Sequence, residues 1–203
     1  MASTPDSHPR RTPKGERTRA RIVEVAARLV HERGVAGTTL DDVRKAAGVS
    51  GSQLSHYFAG KDELVQAVTD YQAGVIAGNQ RQADLGSLDG LRSWRDMVIA
   101  AARATQGEGG CPLGSLAGQL AETDPQARAL IAAGFEQWQA AISEGLRGLH
   151  DAGHLPSGTD PDDLAVTLLA GLQGGLLLAQ VQRDTRPLET AVDTILGLAR
   201  LSG

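Results

Sequence analysis

The side chains best suited to surface chemistry crowd into one short stretch of this sequence. Between Gly48 and Lys61 stand Ser50, Ser52, Gln53, Ser55, His56 and Tyr57, spaced along what should be a single two-turn helix. Hydroxyl, amide and imidazole groups at this density suit hydrogen bonding to base edges and phosphates rather than covalent catalysis. The five histidines, His8, His31, His56, His150 and His154, are otherwise scattered. None sits in an HExxH or triad context, and no GxSxG, CxxC or phosphate-loop pattern occurs. His150 and His154 have the i, i+4 spacing of a metal pair, but Gly153 interrupts the helix between them. No catalytic residue, metal or cofactor is expected. The rival readings are an enzyme, which lacks any such motif, and an architectural helical adaptor, which would recognise no particular DNA sequence.

A polar helix face reads a major groove only if a second short helix braces it at a fixed angle. The flanking residues supply that brace. Thr39 is placed to cap a helix, with Asp42 at its third position beside free amides, and Leu40, Val43 and Ala47 face inward. Gly48 makes the turn. Ser50 and Gln53 have capping-box spacing, and Val49, Leu54 and Phe58 take the inward side. Ser52, Gln53, Ser55 and His56 are left facing out, with Gln53 divided between its cap and a base. Upstream, Ile22, Val25, Ala26 and Leu29 repeat at helical spacing over 14–33, and Gly34 ends that helix. Downstream, Lys61 opens a fourth helix to about Gly78.

The pieces Thr38-Thr39-Leu40, Ala46-Ala47-Gly48-Val49-Ser50, His56-Tyr57-Phe58 and Gly60-Lys61-Asp62-Glu63-Leu64 together resemble the N-terminal domain of the TetR family of bacterial regulators. The resemblance implies that the second short helix reads bases and that Tyr57 and Lys61 touch phosphate. Thr39 is expected to donate to phosphate as well, and Ser50 and Gly51 to lie against the DNA. The sequence departs from the family at Gly51, where a lysine or arginine is frequent, and at Ser55, often tyrosine. The basic residues Arg10, Arg11, Lys14, Arg17 and Arg19 are expected to compensate in part, although Arg17, Arg19 and Arg21 taken singly read as solvated surface.

The charge distribution fits that division of labour. Residues 1–65 hold eleven lysines and arginines against eight acids, whereas the remainder holds nine against sixteen. Residues 1–13, rich in proline and hydroxyls, read as a flexible basic arm, 14–60 as the DNA-binding domain and 61–203 as a second domain. Only 3% of residues are aromatic and no period-two alternation appears. The expected fold is therefore all-α: a three-helix helix-turn-helix domain followed by a helical ligand-binding and dimerisation domain, about nine helices in all. Segments of helical character run over 91–105, 113–122, 124–151, 162–182 and 188–201, with Asp124-Pro125 and Asp160-Pro161 as start signals.

Within the second domain the rare large side chains Trp94, Met97, Phe135 and Trp138 mark the wall of an apolar cavity, completed by Val98, Leu116, Leu120 and Gln173. Plain core is an equal reading for each of them singly. The C-terminal helices are apolar on more than one face. Leu168, Leu172, Leu176, Val192, Ile195 and Leu196 are expected at a twofold dimer interface, with Gly171, Gly174 and Gly175 permitting close approach. The alternative is that these helices complete one chain's core. Gly110-Cys111-Pro112-Leu113-Gly114-Ser115-Leu116-Ala117 and Gly174-Gly175-Leu176-Leu177-Leu178-Ala179 resemble a subgroup of TetR-like repressors related to LmrA and YxaF, which respond to drug-like or aromatic compounds. Cys111 reads as a packed structural cysteine rather than a redox sensor. The expected partners are an operator in double-stranded DNA, a small-molecule effector and a second copy of the chain. With no apolar leader and no unbroken apolar run of about 18 residues, no membrane is expected and the chain is placed in the cytoplasm.

Overall fold

The computed structural model describes residues 12–198, and these form helices with no strand among them. α1 (Pro13–Arg33), α2 (Leu40–Ala46) and α3 (Gly51–Tyr57) make the N-terminal head. α4 (Lys61–Gln82) leads out of it into α5 (Leu88–Ala104), α6 (Pro112–Leu120), α7 (Pro125–Asp151), α8 (Pro161–Gln182) and α9 (Arg186–Leu198). The all-α architecture is the one expected from composition and periodicity.

Helix starts follow local chemistry. Asp124 accepts from the Gln126 and Ala127 amides, both at 2.9 Å, and Asp160 from the Asp162 amide at 2.8 Å. Each is followed by a proline whose missing N–H costs nothing in the first turn. α1 begins one residue earlier than periodicity suggests, with Pro13 in its first turn and the Thr12 hydroxyl accepting from the Gly15 amide at 3.2 Å. The stretch expected as an arm thus lends its last residue to a helix, and residues 1–11 lie outside the described part. α4 continues a turn past Gly78. α5 starts three residues before Leu91 because Ser87 caps it, accepting from the Gly90 amide at 3.0 Å while donating to Asp84 at 2.6 Å. The expected end of the last helix at Leu201 falls outside the described residues.

α4 packs along α7, α8 along both α7 and α9, and α1 against α4. One continuous apolar core results, from Ile22 and Leu29 in the head to Leu146, Leu168 and Leu188 in the bundle. Each such side chain contributes about 1.5–3 kcal/mol through burial. α8 is long and apolar enough by composition to span a membrane, yet it packs between α7 and α9. Its inward row is Leu164, Leu168, Leu172, Gly175 and Ala179, and its outward row includes Val166, Leu177, Leu178 and Val181.

This packing turns most of the residues expected at a dimer seam toward the chain's own core. Leu168, Leu172, Val192 and Leu196 are buried within the single chain. Leu176 and Ile195 are half-buried against the same core. The glycines explain why. A Cβ on Gly175 would lie 2.7 Å from Leu188 Cα, and one on Gly171 would lie 2.7 Å from Ile195 Cδ1. Both glycines let α9 close on α8 within one chain, and only Gly174 of the three faces open space.

Gly175→Ala should therefore force α8 from α9 and lower stability by about 1–3 kcal/mol. Gly118→Ala, on an exposed turn of α6 with open space at Cβ, should stabilise by up to about 1 kcal/mol. Thermal unfolding of the two variants checks the contrast.

Candidate nucleic-acid interface and the adjoining cavity

Two reciprocal caps and a glycine turn hold the head together. At the start of α2 the Asp42 amide donates to the Thr39 hydroxyl at 3.2 Å, and the Asp42 carboxylate accepts from the Thr39 amide at 3.0 Å. The Thr39 hydroxyl donates to the same carboxylate, and these bonds hold the Asp42 carboxyl below the usual carboxylate range. The amide and the hydroxyl of Thr39 thus both take part in the cap. Gly48 turns the chain at φ +62°. At the start of α3 the Gln53 amide donates to Ser50 Oγ at 3.1 Å, and Gln53 Oε1 accepts from the Ser50 amide at 2.9 Å.

Val43, Val49, Leu54 and Phe58 are buried beneath these caps and set the angle between α2 and α3. Arg19 of α1 adds a clamp, its guanidinium carbon 5.2 Å from the Phe58 ring centroid. Arg19 is half-buried, not the solvated cation its type suggests. Its spacing three residues before Ile22, on the buried face of α1, is the signal that places it.

Gly51, Ser52, Gln53, Ser55 and His56 lie exposed together on the outer face of α3. Their hydrogen-bonding capacity is narrower than their types imply. The Ser55 hydroxyl donates back to Gly51 O at 3.0 Å, and Ser52 shares a hydrogen bond with Ser50 at 3.0 Å. Gln53 has its carbonyl oxygen in the cap, so its amide N–H groups are the part free to face a base. Two-point pairing with adenine would require breaking the cap. His56 meets the half-buried Tyr57 ring edge-on at 5.1 Å. Lys61, opening α4, borders the same small crevice as Thr39. The starts of α2 and α4 therefore adjoin, and Lys61 supplies a cation where the free amides of α4 also favour an anion.

A cavity of about 390 Å³ lies where the end of α1 meets α4, α5, α7, α8 and the loop before α6. Of the residues expected to line it, Met97, Val98 and Trp138 do. Phe135 backs the wall, stacked on Trp138 with ring centroids 6.4 Å apart. Trp94, Leu116 and Leu120 are buried core residues instead, and Gln173 sits beside Gly114, outside the lining. Leu172 and Leu176, expected at the dimer seam, line the cavity. His31, Ile76, Asn79, Ala101 and Thr105 also border it without having been singled out. Met97, Ala101 and Thr105 are spaced at i, i+4 and i+8 along α5, which is the signal that could have found them. Cys111 borders the cavity too, buried as the cap of α6 with its sulfur accepting from the Gly114 amide at 3.4 Å. His150 ends α7, and His154 follows Gly153 at φ +76°, so the two do not share a helix face.

Comparison with known proteins settles the family. Residues 22–68 match the model of bacterial regulatory proteins of the tetR family, and residues 87–195 match the tetracyclin repressor-like C-terminal domain. The chain belongs to the TetR family. An uncharacterized HTH-type transcriptional regulator of Mycobacterium tuberculosis, Rv0196, is 29% identical over 180 residues, covering 84% of this chain and 88% of the relative. The uncharacterized regulator YxaF of Bacillus subtilis is 25% identical over 196 residues, covering 95% of this chain and all of YxaF. The crystal structure of regulatory protein TetR from Rhodobacter sphaeroides has the same fold, with a TM-score of 0.80 at 24% identity over 89% of this chain and 97% of that one. As a TetR-family member the protein is a DNA-binding transcriptional regulator and not an enzyme.

Gly51 gives a direct handle on the interface, since a Cβ there meets nothing within 4 Å. Gly51→Lys should raise DNA affinity severalfold at low salt and steepen the slope of log K against log[salt] by about 0.9, the increment for one added phosphate contact. A cation in the first turn of α3 costs about 0.3–1 kcal/mol against the helix dipole, so a small loss of thermal stability should accompany the gain. Fluorescence anisotropy over a salt series checks it.

Proposed function

We propose that this TetR-family protein is a repressor that holds a palindromic operator as a dimer and releases it when a small apolar or aromatic molecule enters the bundle. The observation that carries this reading is the cavity of about 390 Å³, largely apolar in its lining, set directly against the end of α1. A filled cavity at that place changes how the head sits on the bundle. Two heads must match half-sites about 34–36 Å apart, so a shift of a few ångströms is enough to lose one of them. The domain division follows the same logic, with a head over 14–60, an effector and dimer domain over 61–203 and a basic arm ahead of both. Full-length likeness to YxaF and the Cys111-Pro112 segment support an LmrA/YxaF-like subgroup, and a cytoplasmic location goes with the role.

The dimer reading moves to a new face. Val166, Ala170, Gly174, Leu177, Leu178 and Val181 are exposed at i, i+4, i+8, i+11, i+12 and i+15 on α8, one continuous stripe. Leu177 is 60% and Val181 74% exposed in the single chain. Large apolar side chains left uncovered in a row mark an interaction surface, and twofold pairing of α8 would bury them. Of the residues expected at the seam, Ile195 borders this region beside Leu178.

Anisotropy with DNA from the chain's own upstream region tests the function. The expected result is saturable binding, two chains per palindrome, with affinity falling steeply as salt rises. Leu177→Glu should leave the protein monomeric and lower palindrome affinity by roughly a hundredfold, because like charges would meet across the seam. Equal binding to upstream and scrambled DNA at low salt would reject the reading.

A further inference from the structure

The cavity carries chemical detail beyond its shape, and the inference rests on its reading as the effector site. Trp138 borders it and is 5% exposed, yet its indole N–H has no acceptor on the protein. His31 borders it as well, and its Nδ1 is likewise buried without a partner. A buried donor left unpaired is costly, and a ligand that brings an acceptor recovers that cost on binding. Asn79 and Thr105 add further neutral polar groups to the lining.

The charge of the lining narrows the choice. Among the described residues no lysine or arginine belongs to it, and the one carboxylate there, Glu108, stands 3.8 Å from Arg183. An anionic ligand would lose its hydration without gaining a counter-cation inside, and would meet Glu108 as well. The apolar body of the cavity, built from Ile76, Met97, Val98, Leu172 and Leu176, asks instead for an uncharged hydrocarbon or aromatic frame. Its volume falls within the range of small-molecule sites.

His31 gives the occupant a direct line to the head. It stands in the last turn of α1, the helix that contributes Ile22 and Ala26 to the head core and carries the Arg19 clamp on Phe58. Its ring rests on Gly109, which has φ +81°, and a Cβ on Gly109 would lie 2.3 Å from His31 Nε2. The ring is thus wedged between the loop before α6 and the cavity. We propose that the effector is an uncharged ring compound bearing a carbonyl or ether oxygen. The oxygen is held by the Trp138 indole N–H, and contact with His31 passes occupancy to α1.

Three probes of similar size separate the alternatives by calorimetry on the full-length protein: naphthalene, coumarin and coumarin-3-carboxylate. Coumarin should bind about fivefold tighter than naphthalene, the worth of one net hydrogen bond, and at least about tenfold tighter than its carboxylate. Trp138→Phe keeps the ring and should bring the coumarin-to-naphthalene ratio to about one. Saturating coumarin should weaken operator binding at least about fivefold in the unaltered protein. That ratio should fall to about one in His31→Leu, and His31→Gln provides a second test should the leucine variant not fold, with partial coupling expected. Naphthalene matching coumarin, the carboxylate binding best, a preference surviving in Trp138→Phe, coupling surviving in His31→Leu, or no binding of any probe would each overturn the inference. Operator binding is titrated separately without probe. Its presence alongside any of those outcomes rejects only this inference, whereas its absence rejects the regulator reading beneath it.

Discussion

The seam at the end of α1 governs how the head is held. Gly34 turns the chain at φ +75°, and the Val35 amide behind it donates to Gln119 Oε1 of α6 at 2.7 Å. The buried Thr38 hydroxyl donates back to Gly34 O at 2.9 Å, which aims the chain into the cap of α2. One short turn therefore ends α1, orients α2 and ties both to α6. A Cβ at Gly34 would lie 2.9 Å from the same Gln119 oxygen, and its φ of +75° is one that a side chain strains. His31, one turn earlier, is fixed between the loop before α6 and the cavity. The head, α3 included, is thereby referenced to the bundle through hydrogen bonds and packing.

The head needs that reference. Its own core rests on a few small side chains, Ile22, Ala26, Val43, Val49 and Leu54, with Phe58 the one buried aromatic among them. A unit of that size buries too little surface to be strongly stable alone, and it leans on Leu64, Val65 and Val68 of α4. α4 packs in turn along α7. The head is thus joined to the bundle at two places, through the packing of α4 and through the hydrogen bond of the α1–α6 seam.

Much of this was legible in the sequence, and the failures have physical causes. The caps at Thr39, Ser50, Asp124 and Asp160 follow from local hydrogen bonding, and all four form. The outward set on α3 follows from which positions Val49, Leu54 and Phe58 must occupy. Which side of α8 turns inward was not legible, because α8 is apolar all round. A helix with leucines at 168, 172, 176, 177 and 178 has no polar face to say which side turns inward. Only the glycine contacts with α9 decide it. The cavity was half legible: Met97 and Trp138 announced themselves by size, but Ala101, Thr105 and His31 line it through tertiary position. Thr39 and Gln53 show the converse limit, since residue type gives hydrogen-bonding capacity but not whether a neighbour has already taken it.

In the switch proposed above, occupancy of the cavity sets the separation of the two heads. It is tested most directly by the distance between spin labels placed on both chains of the dimer at Ala59→Cys, beside the end of α3, in a Cys111→Ser background. On the palindrome a single narrow distribution is expected, compatible with α3 helices about 34–36 Å apart. With coumarin and no DNA, that distribution should shift by several ångströms. An identical distribution with the cavity filled and empty would contradict it.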